Sequence, residues 1–360
     1  MTFKLTKQGE PHVASWWERA GDGQVRCVLC PRYCSLPEGS RGFCYLRQNI
    51  QGQLITHGSG MAVGLCVDPV EKKPLYHFYP GSSVLSFGTL GCNLGCKFCQ
   101  NWHMSKVAGA GSEKSKYDPQ ELVSLALERD CMGIAYTYNE PIIFGEWVRE
   151  VAREAHAAGL KNVLVTNGYV TPQAREDLFE FIDAANVDLK AITEVFYRKL
   201  TLSHLEPVLD TLRWLVHETE VWLEITTLVI PQENDSSEEL HRLTRFIQEE
   251  LNFRIPLHFS AFHPDFKLRH RPSTPLETLT KAYDIARQNG LEFVYLGNIL
   301  AGIGQDTICP QCQEVLVHRA GWSVRLNTSS TGNCPRCGWQ IPGHFSGPQQ
   351  PSLTSFGDVP

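Results

Sequence analysis

Cys92, Cys96 and Cys99 stand in GTLGCNLGCKFCQNW with the spacing C-x-x-x-C-x-x-C. Thiolates bind zinc and iron, and a closed structural site takes four protein ligands. Three cysteines with no fourth nearby leave one iron of a 4Fe-4S cluster open to a substrate-like ligand. The same trio also suits a three-cysteine zinc site or incidental packing in the core. The glycines of the run let the loop fold around something compact.

Two further groups have metal-ligand spacing. Cys309 and Cys312, then Cys334 and Cys337, form two C-P-x-C knuckles around an excursion of β character. That is the spacing of a four-thiolate zinc ribbon, which rubredoxin uses in similar form for iron. Closed coordination makes such a site structural. Cys27, Cys30, Cys34 and Cys44 form the third group, which suits zinc or a second iron-sulfur cluster; the spacing alone does not choose between them. Cys66 and Cys131 remain, and read as small buried hydrophobes.

Between about residues 80 and 300, β-rich runs alternate with amphipathic stretches, the pattern of a parallel sheet. Strands are expected at 84–89, 133–138, 162–166, 186–190, 221–229, 257–262 and 292–297. Asp118-Pro119, Thr171-Pro172 and Thr274-Pro275 each place a capping side chain before a proline at a helix start. Ser236 with Glu239 predicts a capping box, and Gly159 and Gly290 predict left-handed helix ends. Six βα units and one more strand are too few for a closed eight-fold barrel, so the expected fold is α/β, a partial (β/α)6 TIM-like barrel flanked by small cysteine-rich metal modules. Its ligands belong at the carboxyl ends of the strands. The expected division is a cysteine-rich module over 1–80, the barrel over 81–300, a zinc-ribbon-like or rubredoxin-like module over 301–343 and a disordered tail over 344–360.

The cysteine spacing, with Phe98 directly before Cys99, resembles the radical S-adenosylmethionine (SAM) superfamily. The resemblance implies that SAM chelates the open iron through its amino and carboxylate groups. One electron from the reduced cluster then cleaves the sulfonium, giving methionine and a 5'-deoxyadenosyl radical that abstracts hydrogen from a substrate. Polar groups at the strand ends would hold SAM. Glu140, in Tyr136-Thr137-Tyr138-Asn139-Glu140-Pro141, resembles the superfamily's "GGE" element, with Thr, Tyr and Asn in place of glycines. The alternative for Glu140 is a capping carboxylate.

Thr166-Asn167-Gly168 and Asp188-Leu189-Lys190 resemble the TNG and DLK segments of pyruvate formate-lyase activating enzymes. By that resemblance Thr166 and Asp188 lie beside the cofactor's carboxylate, with room for a bound cation, Lys190 helps hold it, and Asn167 is a further SAM contact. An inward-facing Asp188–Lys190 ion pair is the structural alternative. His263 resembles the activases' strand-end histidine at the adenosine side, and Tyr295 to Asn298 would face the adenine or the substrate. Where those enzymes carry an arginine on the fifth strand, this chain has Thr226 in Glu224 to Pro231, which weighs against a glycyl-radical-enzyme substrate. No catalytic residue is assigned.

The segments CVLCPRYCSLPEGSRGFC, LGCNLGCKFCQNW, YTYNEP, TNGY, DLKA, TLVIPQENDS, HFSAFHPDFK and YLGNI together resemble the AmmeMemoRadiSam-system radical enzymes, over about residues 25 to 340. The implied activity is reductive SAM cleavage, fed by a flavodoxin-like or ferredoxin-like electron donor, on a small molecule, a protein or an RNA base. A glycyl-radical-enzyme activase and a non-catalytic metal-binding scaffold are the alternatives.

Composition sets outer bounds. The 360 residues are 42% hydrophobic and 20% charged, as in globular proteins rather than fibres. A net charge of -6 argues against a global grip on nucleic acid. No stretch approaches the roughly 20 apolar residues of a membrane span, and the start lacks a signal peptide's apolar region. Thirteen cysteines without an export signal point to a cytoplasmic protein with metal sites rather than disulfides.

Overall fold

The computed structural model describes residues 12–107, 116–299, 302–329 and 331–345. Eight strands form the central sheet in chain order from edge to edge. They are β1 (Val63–Pro69), β2 (Ser83–Gly88), β3 (Gly133–Tyr136), β4 (Lys161–Thr166), β5 (Ala184–Asp188), β6 (Trp222–Val229), β7 (Leu257–Ala261) and β8 (Val294–Gly297). Strands β2 to β8 are parallel, and β1 pairs antiparallel to β2. The end strands β1 and β8 are not neighbours in the sheet, so the barrel stays open. β1 comes from the cysteine-rich stretch and adds an edge that the βα pattern did not reveal.

One principal helix follows each of the first six parallel strands: α1 (Pro119–Glu128), α2 (Gly145–Ala157), α3 (Pro172–Phe179), α4 (Glu206–Glu218), α5 (Ser237–Phe246) and α6 (Leu276–Gln288). Asp118 and Glu121 make a full capping box at α1. Ser236 caps α5 through the Glu239 amide at 3.1 Å, but the Glu239 carboxylate turns to the Ile192 amide at 3.3 Å, so only half the expected box forms. α6 begins one residue later than expected because the Thr274 hydroxyl is engaged elsewhere: it donates to the Val229 carbonyl at 2.6 Å and accepts from the Phe262 amide at 2.8 Å. Gly159 (φ +78°) and Gly290 (φ +91°) end their helices in the left-handed region.

Strand alternation divides the core. Outward residues such as Phe87, Ile134, Leu164 and Ile225 meet the apolar helix faces, among them Trp147, Val151, Leu212 and Leu243. Inward, Val84, Ala135, Val163 and Ala184 pack against Val70, Leu75 and Phe78 of the segment between β1 and β2. Above that plug lies a polar layer. The buried Glu224 carboxylate accepts from the Tyr76 and His77 amides at 3.0 and 2.8 Å and meets His258 at 2.7 Å. Tyr295 belongs to this layer, its hydroxyl 2.6 Å from His77 and 2.9 Å from Thr307. Its side chain therefore does not reach the strand tops, contrary to the expectation that it faces the cofactor. The register explains this, since Tyr295 pairs with His258 one step below Ser260 and Gly297.

The C-terminal stretch forms a three-stranded antiparallel sheet of Thr307–Ile308, Val315–Ala320 and Ser323–Leu326. Buried Arg319 joins it to the barrel, donating to the Tyr76 carbonyl at 2.7 Å and to Thr307 at 2.9 Å. The His344 amide donates to the His77 carbonyl at 2.7 Å. Beyond Phe345 the expected tail lies outside the described residues.

The N-terminal stretch carries two small antiparallel sheets and is pinned to α2 by a buried ion pair. Arg47 Nη2 lies 2.8 and 2.6 Å from the two Glu146 oxygens. Breaking a buried pair strands a charge, so Arg47→Met is expected to cost about 3–5 kcal/mol, whereas the double change to Arg47→Met and Glu146→Met recovers most of it. Denaturant melts of the two variants measure this. Equal losses in both would show that the pairing is not what matters.

Candidate functional site: a cysteine loop above the open sheet

The three cysteines sit on the loop that leaves the carboxyl end of β2. Its path is set by backbone bonds to neighbouring segments: Gly91 N to Met104 O at 2.9 Å, Gly95 N to Thr201 O at 2.7 Å and Lys97 N to Leu200 O at 2.9 Å. Asn139 brackets the loop from the end of β3. Its Nδ2 donates to Thr89 Oγ1 at 2.9 Å and to the Gly91 carbonyl at 3.0 Å, while its Oδ1 accepts from the Thr89 amide at 3.0 Å. Asn139 is one of the residues that replace the glycines of the "GGE" element, and sequence reading gave it no role. Gly91 has φ +86°, and a Cβ there would lie 2.0 Å from the Cys44 carbonyl, so only glycine fits.

Cys96 is buried, and Cys92 and Cys99 are partly so. Burial pushes the Cys96 thiol up to about 11, with Lys190 and Lys106 opposing the rise. Burial also raises Cys92, again opposed by Lys106. Two ammonium groups thus stand where thiolate charge would develop.

Glu140, at the end of β3, is 1% exposed. Its Oε1 accepts from the Thr166 hydroxyl at 2.6 Å and the Ile142 amide at 3.1 Å; its Oε2 accepts from the Asn167 amide at 2.8 Å. It therefore caps the short turn Pro141–Phe144 and also ties the ends of β3 and β4 together. Burial pushes its carboxyl up to about 7, against the pull of those three donors. Asn167 carries the link onward, donating to Asn93 Oδ1 at 2.9 Å and lying 4.0 Å from Cys92 Sγ.

Asp188 and Lys190 form the second group. Lys190 Nζ is 2.9 Å from Asp188 Oδ2. Burial alone would lower the ammonium, but Asp188 and Cys96 hold it above its ordinary value. Asp188 pairs in register with Thr226, whose hydroxyl is buried and has no hydrogen-bond partner. A buried orphan hydroxyl beside a carboxylate is a place prepared for a polar ligand. Glu140, Thr166 and Asn167 are thus brought together, as are Asp188 and Lys190, whereas His263 is exposed on the loop after β7. That loop does reach the cysteines: Lys267 N donates to Lys97 O at 2.9 Å, and Phe266 stacks on Trp102 at 5.6 Å.

In the C-terminal group, Cys309 and Cys337 have their sulfurs 3.6 Å apart, and Cys312 and Cys334 theirs 3.5 Å apart.

A family model described as the Radical SAM superfamily matches residues 87–247. The uncharacterized protein MJ0808 of Methanocaldococcus jannaschii is 40% identical over 330 residues, covering 91% of this chain and 98% of that protein. The pyruvate formate-lyase 1-activating enzyme of Escherichia coli K12 is 24% identical over 232 residues, or 60% of this chain and 93% of that enzyme. A solved domain of a pyruvate-formate lyase-activating enzyme from Bacteroides vulgatus aligns with a TM-score of 0.41 at 15% identity, covering 46% of this chain and 99% of that one.

Proposed function

Since the chain belongs to the radical SAM superfamily, we propose that it is an enzyme whose reactive centre is the Cys92, Cys96 and Cys99 loop and whose cofactor lies against Glu140, Asn167, Asp188 and Lys190. The observation that carries this is the convergence of three thiols, two ammonium groups, the buried Glu140 and the orphan Thr226 hydroxyl at one end of an open parallel sheet. A 4Fe-4S cluster held there would, with SAM bound, supply reductive cleavage to methionine and a 5'-deoxyadenosyl radical.

The chain's own residues have separable tasks. Lys190 and Lys106 offset the charge of the thiolates, which favours their deprotonated form. Glu140, already fixed by three donors, presents its remaining lone pair to the amino group of SAM. Thr166 and Asn167 hold Glu140 in place, and Asn167 also positions the Cys92 turn. Asp188 and Thr226 face polar parts of the cofactor, and His263 reaches its adenosine side from the loop after β7. A one-electron donor of the flavodoxin or ferredoxin class feeds the centre, in a cytoplasm reducing enough to keep thirteen cysteines out of disulfides. No helix among the described residues is long and apolar enough to cross a membrane.

Anaerobic reconstitution with iron and sulfide, then dithionite and SAM, is expected to yield 5'-deoxyadenosine and methionine together. Iron-free protein, or a loaded cluster that leaves SAM intact, would overturn the proposal. Likeness to activating enzymes favours a second reading, in which the hydrogen comes from a glycine of a partner protein. An electron-spin signal of a glycyl radical on an added partner supports it, whereas 5'-deoxyadenosine formed without such a transfer favours another substrate.

The C-terminal cysteines would hold zinc. A tetrahedral ion with bonds near 2.3 Å needs sulfurs about 3.8 Å apart, and the observed pairs lie close to that. Stripping the ion with a chelator is expected to speed proteolysis within residues 302–345 about tenfold or more, because ligand binding and folding of such a module are coupled. An unchanged digestion rate after verified zinc loss would refute a structural role.

A further inference from the structure

The surface over the cysteine loop is tied together by contacts that run from the N-terminal stretch to the loop after β7. Arg32 donates to the Asn93 and Leu202 carbonyls, and its guanidinium lies 3.5 Å from the Phe43 ring centre. Leu202 in turn rests on Gly95, between Cys92 and Cys96, where an added Cβ would come within 2.6 Å of the leucine side chain. Lys97 N donates to Leu200 O, and Lys267 N donates to Lys97 O, both at 2.9 Å. Gly95, Lys97, Cys92 and Cys99 are partly exposed, so the loop comes to the surface here.

The middle of this surface is apolar. Leu202 is 46% exposed and Phe43 37%. Leu202 also holds φ +55°, a left-handed conformation that a bulky side chain rarely adopts. Around it stand cations, although the whole chain carries a net charge of -6. Arg198 is offset by Glu194 at 2.9 Å, and Arg269 has Asp265 at 4.0 Å. Lys97, Lys199 and Lys267, by contrast, make no ion pair among the described residues. Lys199 and Lys267 are exposed, and Lys199 precedes Leu202 by about one helical turn, on the same side.

An apolar and aromatic centre with a charged rim is the anatomy of a protein-protein contact. Electron-transfer encounters are small contacts of this kind, steered by complementary charge. A polyanion such as RNA is repelled by the net charge of the chain, and the apolar centre has nothing to offer its phosphates. We propose that this face docks an acidic one-electron carrier protein of the flavodoxin or ferredoxin class. Leu202 and Phe43 form the centre of the contact, and Lys97, Lys199 and Lys267 steer the carrier's carboxylates. The inference rests on the reading of the cysteine loop as the reactive centre, which needs an electron from outside: the carrier is oxidised by one electron and the centre takes it up. Docking needs only the folded surface, so it is measured apart from that reading.

Titrating the full chain with an oxidised flavodoxin, and separately with an oxidised ferredoxin, reads binding without turnover. Binding of at least one carrier is expected at low salt, weakening as salt is added. Carbodiimide coupling should join Lys199 or Lys267 to a carrier carboxylate. The double change Lys199→Glu and Lys267→Glu is expected to lower that affinity about tenfold or more. In the reconstituted enzyme it should slow carrier-driven formation of 5'-deoxyadenosine at low salt, while saturating dithionite still gives the parent rate, which also shows that the variant is folded. No carrier binding at low salt, parent affinity in the variant, or coupling only at other lysines would overturn the proposal. An RNA oligonucleotide that loses binding in the variant while the carriers keep theirs would give the face to nucleic acid, and a dimer lost in the variant with carrier binding unchanged would give it to a second copy of the chain. Failure of dithionite to drive cleavage in the parent bears on the reactive centre alone, since the titration judges docking without it.

Discussion

Alanine at Cys92, Cys96 and Cys99 together is expected to bring dithionite-driven formation of 5'-deoxyadenosine down to the background of a cluster-free control, while the chain keeps its fold. The first half follows from chemistry, because Cys92 lies against Asn167 and Lys190 acts on Cys96, where the cofactor is proposed to sit. The second half follows from how the loop is held. Its backbone bonds at Gly91, Gly95 and Lys97, the bracket of Asn139 with Thr89 and Gly91, and the bond from Asn101 Nδ2 to the Tyr138 carbonyl use no sulfur atom. Each replaced thiol in the cofactor-free chain should cost about 1 kcal/mol, the ordinary cost of a small buried truncation. Product quantification and circular-dichroism melts read the two halves separately. Cleavage that survives the triple change would place the reactive centre elsewhere.

Legibility from sequence tracked the range of the interactions involved. Strands β2 to β8 could be read because each is a short apolar run between capping or turn residues, and these signals are local. The C-terminal knuckles were equally plain, since their two pairs of cysteines fix a four-ligand site by spacing alone. The edge strand β1 was missed because it carries Gly64 and an irregular register beside β2, so its alternation is broken. Arg47 with Glu146, and Glu224 with His77, join residues about a hundred or more positions apart, and nothing in a single sequence announces such pairs. Tyr295 was misjudged by one step of a strand: its end of β8 was legible, but the register that sinks the ring into the lower polar layer is a property of the sheet. Asn139 was seen only as a departure from a motif. Its three bonds to the cysteine loop show that the residue replacing glycine has taken on a positioning task there.

Glu140→Gln is expected to weaken SAM binding by the cluster-loaded enzyme about tenfold or more above pH 7, and to remove most of the pH dependence of that binding. In the cofactor-free chain burial holds this carboxyl up to about 7. Above that pH it is a carboxylate ready to accept from the amino group of SAM. Below it the proton must first leave, so affinity should fall by up to about tenfold per pH unit on the acid side. The stability of the unliganded chain runs the other way. A carboxyl whose folded value lies above its unfolded value of about 4.3 binds more protons when folded. Its contribution to stability is therefore fully present below the unfolded value and is lost as pH rises through about 7. SAM binding thus gains on the alkaline side of pH 7, where the empty site is least comfortable, and that opposition is what a buried carboxylate reserved for a ligand should show. The amide cannot follow either trend. It also loses one acceptor for the Thr166, Ile142 and Asn167 donors, a cost of about 1–3 kcal/mol that denaturant melts of the unliganded variant would register. Anaerobic calorimetry of SAM binding from pH 6 to pH 8.5 separates the two roles. A variant that melts earlier but binds SAM with the parent affinity and slope would reduce Glu140 to a cap on the Pro141 turn and shift the amino-group contact to another residue.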